Sequence, residues 1–148
     1  YSICEGAIKI DNLKDFCKEK KIPCIGLSDT SNLCGALEFA ENISKIGTQP
    51  IIGTQIYFKF EDTTGLLPLI ALNEKGYKRI IELSSRSYLE NDALSDPHLD
   101  IKELLTDTDG VVLLSGTING LFGKLFDKGR LDEITKLYKS LALKFNDR

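Results

Sequence analysis

The sequence contains no methionine, a single histidine and no C-x-x-C pair among its four cysteines. Each absence removes a class. Without a methionine there is no native start, so the chain is expected to be an excerpt of a longer protein. With one histidine and no paired cysteines, a zinc site of finger spacing is excluded. Cys17 and Cys24 sit in apolar contexts and are expected to be small buried hydrophobes. No apolar run approaches about 18 residues, so no membrane span is expected. No secretory signal is seen, which makes reduced thiols and a cytoplasmic location the default. Lysines and arginines do not gather into a basic patch, and the net charge is −3. Tight nucleic-acid binding by this segment alone is therefore not indicated.

What is present is ordinary for a globular domain. The 148 residues are 42% hydrophobic and 28% charged, enough for one domain, residues 1–148, with a sizeable core. After a loop at Tyr1 to Gly6, Ile10, Leu13, Phe16 and Cys17 recur at helical spacing. Ile22-Pro23 ends that helix. Cys24 to Leu27 reads as a short buried strand and Ser28 to Asn32 as a polar turn. A helix from about Cys34 carries Leu37, Phe39, Ala40, Ile43 and Ile46, with Gly47 as its C-terminal cap.

Ile51 to Phe60 is a long strand. Its alternation puts Ile52, Thr54, Ile56, Phe58 and Phe60 on one face. Asp62 to Gly65 reads as a hairpin turn, and Leu66 to Leu72 as the returning strand. Pro68 argues for an edge or an irregularity there. Asn73 caps a helix through Tyr77, Ile80, Ile81 and Leu83. Ser84 to Pro97 is polar and reads as a loop. Asp100 caps a short helix, Val111 to Leu114 is a strand, and Ser115 to Gly120 a turn. Helices over Leu121 to Phe126 and from Leu131 to Leu141 follow. Strands alternating with helices, with one hairpin inserted, predict an α/β fold with a mainly parallel sheet.

The stretch from Ile22 to Glu41 organises the rest, because Asp29 stands at the C-terminal end of a strand, where α/β folds place chemistry. Together with its surroundings it carries a family signature. Tyr1-Ser2, Gly6-Ala7, Ile22-Pro23, Leu27-Ser-Asp29 and Asn32-Leu-Cys-Gly35 come first. Glu38-Phe39, Gln49-Pro-Ile-Ile-Gly53 and Gly76-Tyr77 follow, then Asp96-Pro-His-Leu-Asp100, Gly110-Val-Val-Leu-Leu-Ser-Gly116 and Phe145-Asn-Asp-Arg148. In order and spacing this resembles the polymerase and histidinol phosphatase (PHP) domain of bacterial DNA polymerase III alpha subunits, over essentially the whole chain. The resemblance implies a distorted, TIM-like (βα)7 barrel, incomplete in this excerpt. In intact members, histidines and carboxylates hold several metal ions, and an H-x-H pair lies upstream of the Tyr-Ser position.

The departures from that pattern bear on activity. Asp-His becomes Asp29-Thr30. Gly-x-Glu becomes Gly53-Thr54-Gln55. Ser-Gly-Cys becomes Ser115-Gly116-Thr117. Threonine and glutamine carry no charge to offset divalent cations. The resemblance therefore implies vestigial positions at Asp29, Thr30, Gln55 and Thr117, with Asp29 a weak candidate ligand and no catalytic residue in this segment. It implies no cofactor here. The partners implied are the proofreading exonuclease subunit and other replicase subunits, with DNA met through the rest of a parent DNA-directed DNA polymerase.

The alternative is an active zinc- or manganese-dependent phosphoesterase or 3′-5′ exonuclease of the same fold. An unrelated nucleotide-binding α/β domain built on the Ser115 to Gly120 turn is disfavoured, since no complete phosphate motif exists. Asp29 has a plainer reading as a turn or helix-start carboxylate. His98 has no partner base in the sequence and reads as a loop residue. Ser115 lies outside a G-x-S-x-G elbow.

Overall fold

The computed structural model describes residues 6, 8–92 and 94–146. The readings made on Tyr1-Ser2, Cys4, Ala7, Asp147 and Arg148 lie outside them. The helices are α1 (Ile10–Lys20), α2 (Ala36–Ser44), α3 (Glu74–Leu89), α4 (Ile101–Thr106), α5 (Leu121–Asp127) and α6 (Leu131–Phe145). The strands are β1 (Cys24–Thr30), β2 (Gln49–Phe60), β3 (Thr63–Ala71), β4 (Leu99–Asp100) and β5 (Val111–Leu113).

The five strands form one open sheet in the order β1-β2-β3-β5, with β4 beside β2. β1 and β4 both run parallel to β2. β3 pairs antiparallel with both β2 and β5. The sheet is thus mixed rather than mainly parallel, because the hairpin return runs through its middle. The architecture of the described residues is a mixed α/β sheet with six helices.

Alternation along β2 fixes the core. Thr54, Ile56, Phe58 and Phe60 are buried. Ile56, Phe58 and Phe60, with Leu67 and Leu69 of β3, pack against Ile80 and Leu83 of α3, Leu121 and Leu125 of α5, and Leu137 and Leu141 of α6. A smaller cluster joins Cys17, Phe39 and Ile43 to Ile25, Leu27 and Ile52. Both clusters lie on the same face of the sheet. On the opposite face no helix contributes a core residue among those described.

Several boundaries differ from the sequence reading. β1 continues to Thr30, because Ser28 to Thr30 pair with Gly53 to Gln55 despite their polar side chains. Cys17 is buried but Cys24 is exposed; it opens β1 on the uncovered face. The hairpin turns at Glu61-Asp62, where Glu61 takes φ 53°, so the return strand starts at Thr63. Pro68 does mark an irregularity. Its carbonyl accepts from Leu114 N at 3.0 Å, and the β3–β5 ladder ends at Leu69.

α3 runs on to Leu89, so the loop begins only after it. Ser84 and Ser87 are buried there; Ser87 Oγ donates to Ser84 O at 2.7 Å and Ser84 Oγ to Ser31 O at 3.4 Å. Their hydroxyls find backbone acceptors, which lets serine stay in a helix interior. Asn73 and Asp100 cap α3 and α4 as the sequence predicts, through Gly76 N at 3.0 Å and Lys102 N at 2.8 Å.

Candidate functional site

The C-terminal end of β1 is the place to test for chemistry. Parallel register sets Asp29 opposite Thr54 and Thr30 opposite Gln55. Successive residues of a strand point to opposite faces. Asp29 therefore shares the helix-covered face with Thr54, and is 7% exposed. Thr30 and Gln55 share the other face. The structure splits the predicted set: Thr30 and Gln55 are cross-strand neighbours, and Asp29 points away from both.

Thr117 stands one strand further on. Gln55 pairs with Pro68 of β3, and the loop after β5 passes along the far side of β3. A Cβ on Gly116 would lie 3.3 Å from Leu66 O and 3.6 Å from Pro68 Cδ. Thr117 is exposed and its Oγ1 accepts from Asn119 N at 3.3 Å. A cavity of about 280 Å³ opens beside Ser28, Gln55, Pro68 and Leu114, and Thr117 does not line it. The turn from Gly116 to Gly120 closes on itself through Gly120 N to Thr117 O at 2.9 Å and leads into α5. His98 lies on the loop before β4, where its Nδ1 meets Asp96 O at 2.8 Å.

Neutral groups tie the end of β1 to β2. Thr54 Oγ1 faces two carbonyl oxygens, Asp29 O at 2.8 Å and Asn32 O at 3.0 Å. Ser31 N donates to Gln55 O at 2.7 Å. Asn32 Nδ2 donates to Thr30 O at 2.9 Å, and Asn32 Oδ1 accepts from Cys34 N at 3.0 Å. Gln55 Nε2 donates to Ser28 O at 3.4 Å. The sequence reading missed Thr54 and Asn32 as the residues that shape this loop. A signal existed for Thr54: it is the one polar residue on a strand face otherwise made of isoleucine and phenylalanine.

Ser31 bears a local cost. Its φ is 56°, the left-handed region, and its Oγ is buried with no hydrogen-bond partner. A non-glycine residue there costs about 1 kcal/mol or more. A buried, unpaired hydroxyl adds a comparable amount. Glycine would lose more backbone freedom on folding, by about 0.5–1 kcal/mol. Ser31→Gly is expected to stabilise the domain by about 1 kcal/mol, raising Tm by about 3 °C in a calorimetric melt. Ser31→Ala keeps the strained φ and should gain less.

Comparison of the sequence with known proteins identifies a family. A sequence model of the PHP domain covers residues 1–148. The chain belongs to the PHP family. Among curated relatives, the DNA polymerase III subunit alpha of Caulobacter vibrioides is 35% identical over 161 residues, which is 100% of this chain and 14% of that protein. The Rickettsia felis subunit is 36% identical over 84% of the chain and 10% of its own length. That of Vibrio cholerae is 29% identical over 99% of the chain and 13% of its length. The PHP chain thus spans a small part of each relative. A solved Bifidobacterium adolescentis protein put forward as a metal-dependent phosphoesterase gives a TM-score of 0.45 at 16% identity, covering 57% of this chain and 29% of that one. A likeness that slight carries no argument.

The four residues named from the sequence, Asp29, Thr30, Gln55 and Thr117, do not by themselves make a multinuclear metal centre. Thr30, Gln55 and Thr117 are neutral. Asp29 faces the helices rather than the side that Thr30 and Gln55 share. Among the described residues no three histidines, cysteines, aspartates or glutamates converge. Divalent ions bind where several charged or imidazole donors meet, and the described side chains here supply no such set.

Proposed function

We propose that this chain is the PHP domain of a DNA polymerase III alpha subunit, with a degenerate metal site. On this reading it supports the surrounding polymerase and docks the proofreading exonuclease subunit. The incomplete barrel is continued by the parent chain, which also carries the polymerase chemistry and meets DNA and the other replicase subunits. The parent acts in the cytoplasm. Among the described residues, no helix is long and apolar enough to cross a membrane.

One observation carries the metal-free part. The strand end that would present ligands is closed by threonine, asparagine and glutamine bonded to backbone groups. These bonds tie the loop to neighbouring backbone carbonyls. Whole-chain likeness to alpha subunits supports the rest.

Elemental analysis of the parent polymerase, before and after dialysis against chelator, tests the reading. Less than about one zinc or manganese per chain is expected, since neutral amides and hydroxyls are weak ligands. Binding of the exonuclease subunit should survive the chelator. Two or three tightly held ions, with metal-dependent hydrolysis, would make an active phosphoesterase or 3′-5′ exonuclease the better reading.

A further inference from the structure

β5 forms one end of the sheet. Among the described residues it pairs with β3 alone. An antiparallel ladder alternates bonded pairs with pairs whose backbone groups face outward. Leu72 N donates to Gly110 O, and Leu114 N to Pro68 O. Val112, opposite Ile70, is in step with these pairs and bonds to β3. Leu113, opposite Leu69, therefore turns its N–H and C=O to the open edge. Its side chain stays against the core.

A cavity of about 150 Å³ lies beside that edge, between β5 and the helices α5 and α6. Leu113, Phe122, Tyr138 and Ala142 give it apolar walls, and Ser115 and Asn146 complete the lining. Tyr138 is 64% exposed, so one wall is open to an incoming group. A volume of this size takes about one aromatic ring or branched aliphatic side chain. α6 stops at Phe145, and Asn146 turns the backbone with φ 52°. The chain thus leaves α6 at the wall of the cavity.

We infer that an extended segment of the parent chain beyond residue 148 lies along the open edge, parallel to β5, and puts one apolar side chain into this cavity. The inference rests on the parent-chain reading above and names the edge at which that chain returns. A helical crossover brings a chain back parallel to the strand it left, and α5 and α6 follow β5 in this way. The relatives have the length, since this chain covers 14% of the Caulobacter vibrioides subunit. A tethered segment also meets the edge at high effective concentration. Two copies joined through β5 fit less well, because three residues on each side make a marginal ladder.

Photo-crosslinking tests it in the intact parent polymerase, with Tyr138→p-benzoylphenylalanine. The crosslinked peptide should come from the same chain, downstream of Arg148. Hydrogen exchange on the same polymerase is an independent readout. Leu113 N–H should exchange within about tenfold of Val112 N–H. Ala142→Trp, which fills the cavity from α6, should speed Leu113 by about tenfold or more and leave Val112 slow.

No crosslink, or one to a second copy or to another protein, would overturn the inference. So would Leu113 exchanging more than about tenfold faster than Val112, or exchange at Leu113 unchanged by Ala142→Trp. A crosslink to the exonuclease subunit removes the added strand and leaves the docking role standing. A downstream crosslink in a polymerase that holds tightly bound metal does the reverse: the degenerate site falls and the strand stands.

Discussion

Gly76→Ala is expected to destabilise the domain by about 3 kcal/mol or more, at the upper end for overpacking a core. A Cβ at position 76 would lie 1.8 Å from Gly110 O and 2.4 Å from Gly110 C. Both are backbone atoms, so no side chain can swing aside. The carbonyl in the way is also committed, since Gly110 O accepts from Leu72 N at 2.8 Å. Gly110 has φ +71°, and a Cβ there would meet Asn73 Oδ1 at 2.3 Å. That oxygen caps α3 through Gly76 N. The start of α3 and the start of β5 are thus one joint with no room for a methyl group. A thermal melt should show Tm lower by about 10 °C for a domain of this size. Gly47→Ala is the control. Gly47 has φ +78° but nothing within 4 Å of a Cβ, so only conformational strain of about 1 kcal/mol is expected. Equal losses at the two sites would show that backbone freedom, not close approach, accounts for Gly76.

That joint also shows what the sequence can and cannot reveal. Local signals were legible. Asn73 and Asp100 read as caps and are caps. The alternation from Ile52 to Phe60 read as one buried face, and that face holds the core. What failed depended on distant partners. Ser28-Asp-Thr-Ser-Asn32 is polar enough to read as a turn, yet its first three residues extend β1 because β2 offers them backbone partners. Once the strand runs to Thr30, alternation alone separates Asp29 from Thr30 and Gln55. The candidate site was therefore half legible: the sequence pointed to the ends of β1 and β2, and the division of Asp29 from Thr30 and Gln55 between two faces needed the register. Ser84 and Ser87 read as loop residues for the same reason, since the acceptors that keep them in α3 include Ser31 O, far away in sequence.

Arg79 carries the second large expectation, through a different mechanism. It is 7% exposed, a buried cation on α3. Its guanidinium donates to Asp107 O at 3.2 Å, to Thr106 Oγ1 at 2.8 Å and to Glu103 O. These acceptors lie in the last turn of α4 and just beyond it, where carbonyls lack partners within the helix. Glu82 Oε2 sits 2.9 Å away and balances part of the charge. Arg79→Met would keep the apolar stem and strand those oxygens, at a cost of about 3 kcal/mol in a denaturant melt. Arg79→Lys should rescue little, because one ammonium cannot reproduce the planar fork that spans three acceptors. Glu82→Gln should cost less than about 1 kcal/mol, because Glu82 is 52% exposed and the cation keeps its carbonyls. Hydrogen exchange can locate the damage. Arg79→Met should release the amides around Asp107 to Leu113 first, since the end of α4 leads directly into β5. Uniform loss of protection would instead place Arg79 in the global core. Protection unchanged at Val111 to Leu113 would show that β5 is held by β3 alone, and that the α4 cap does not set its position.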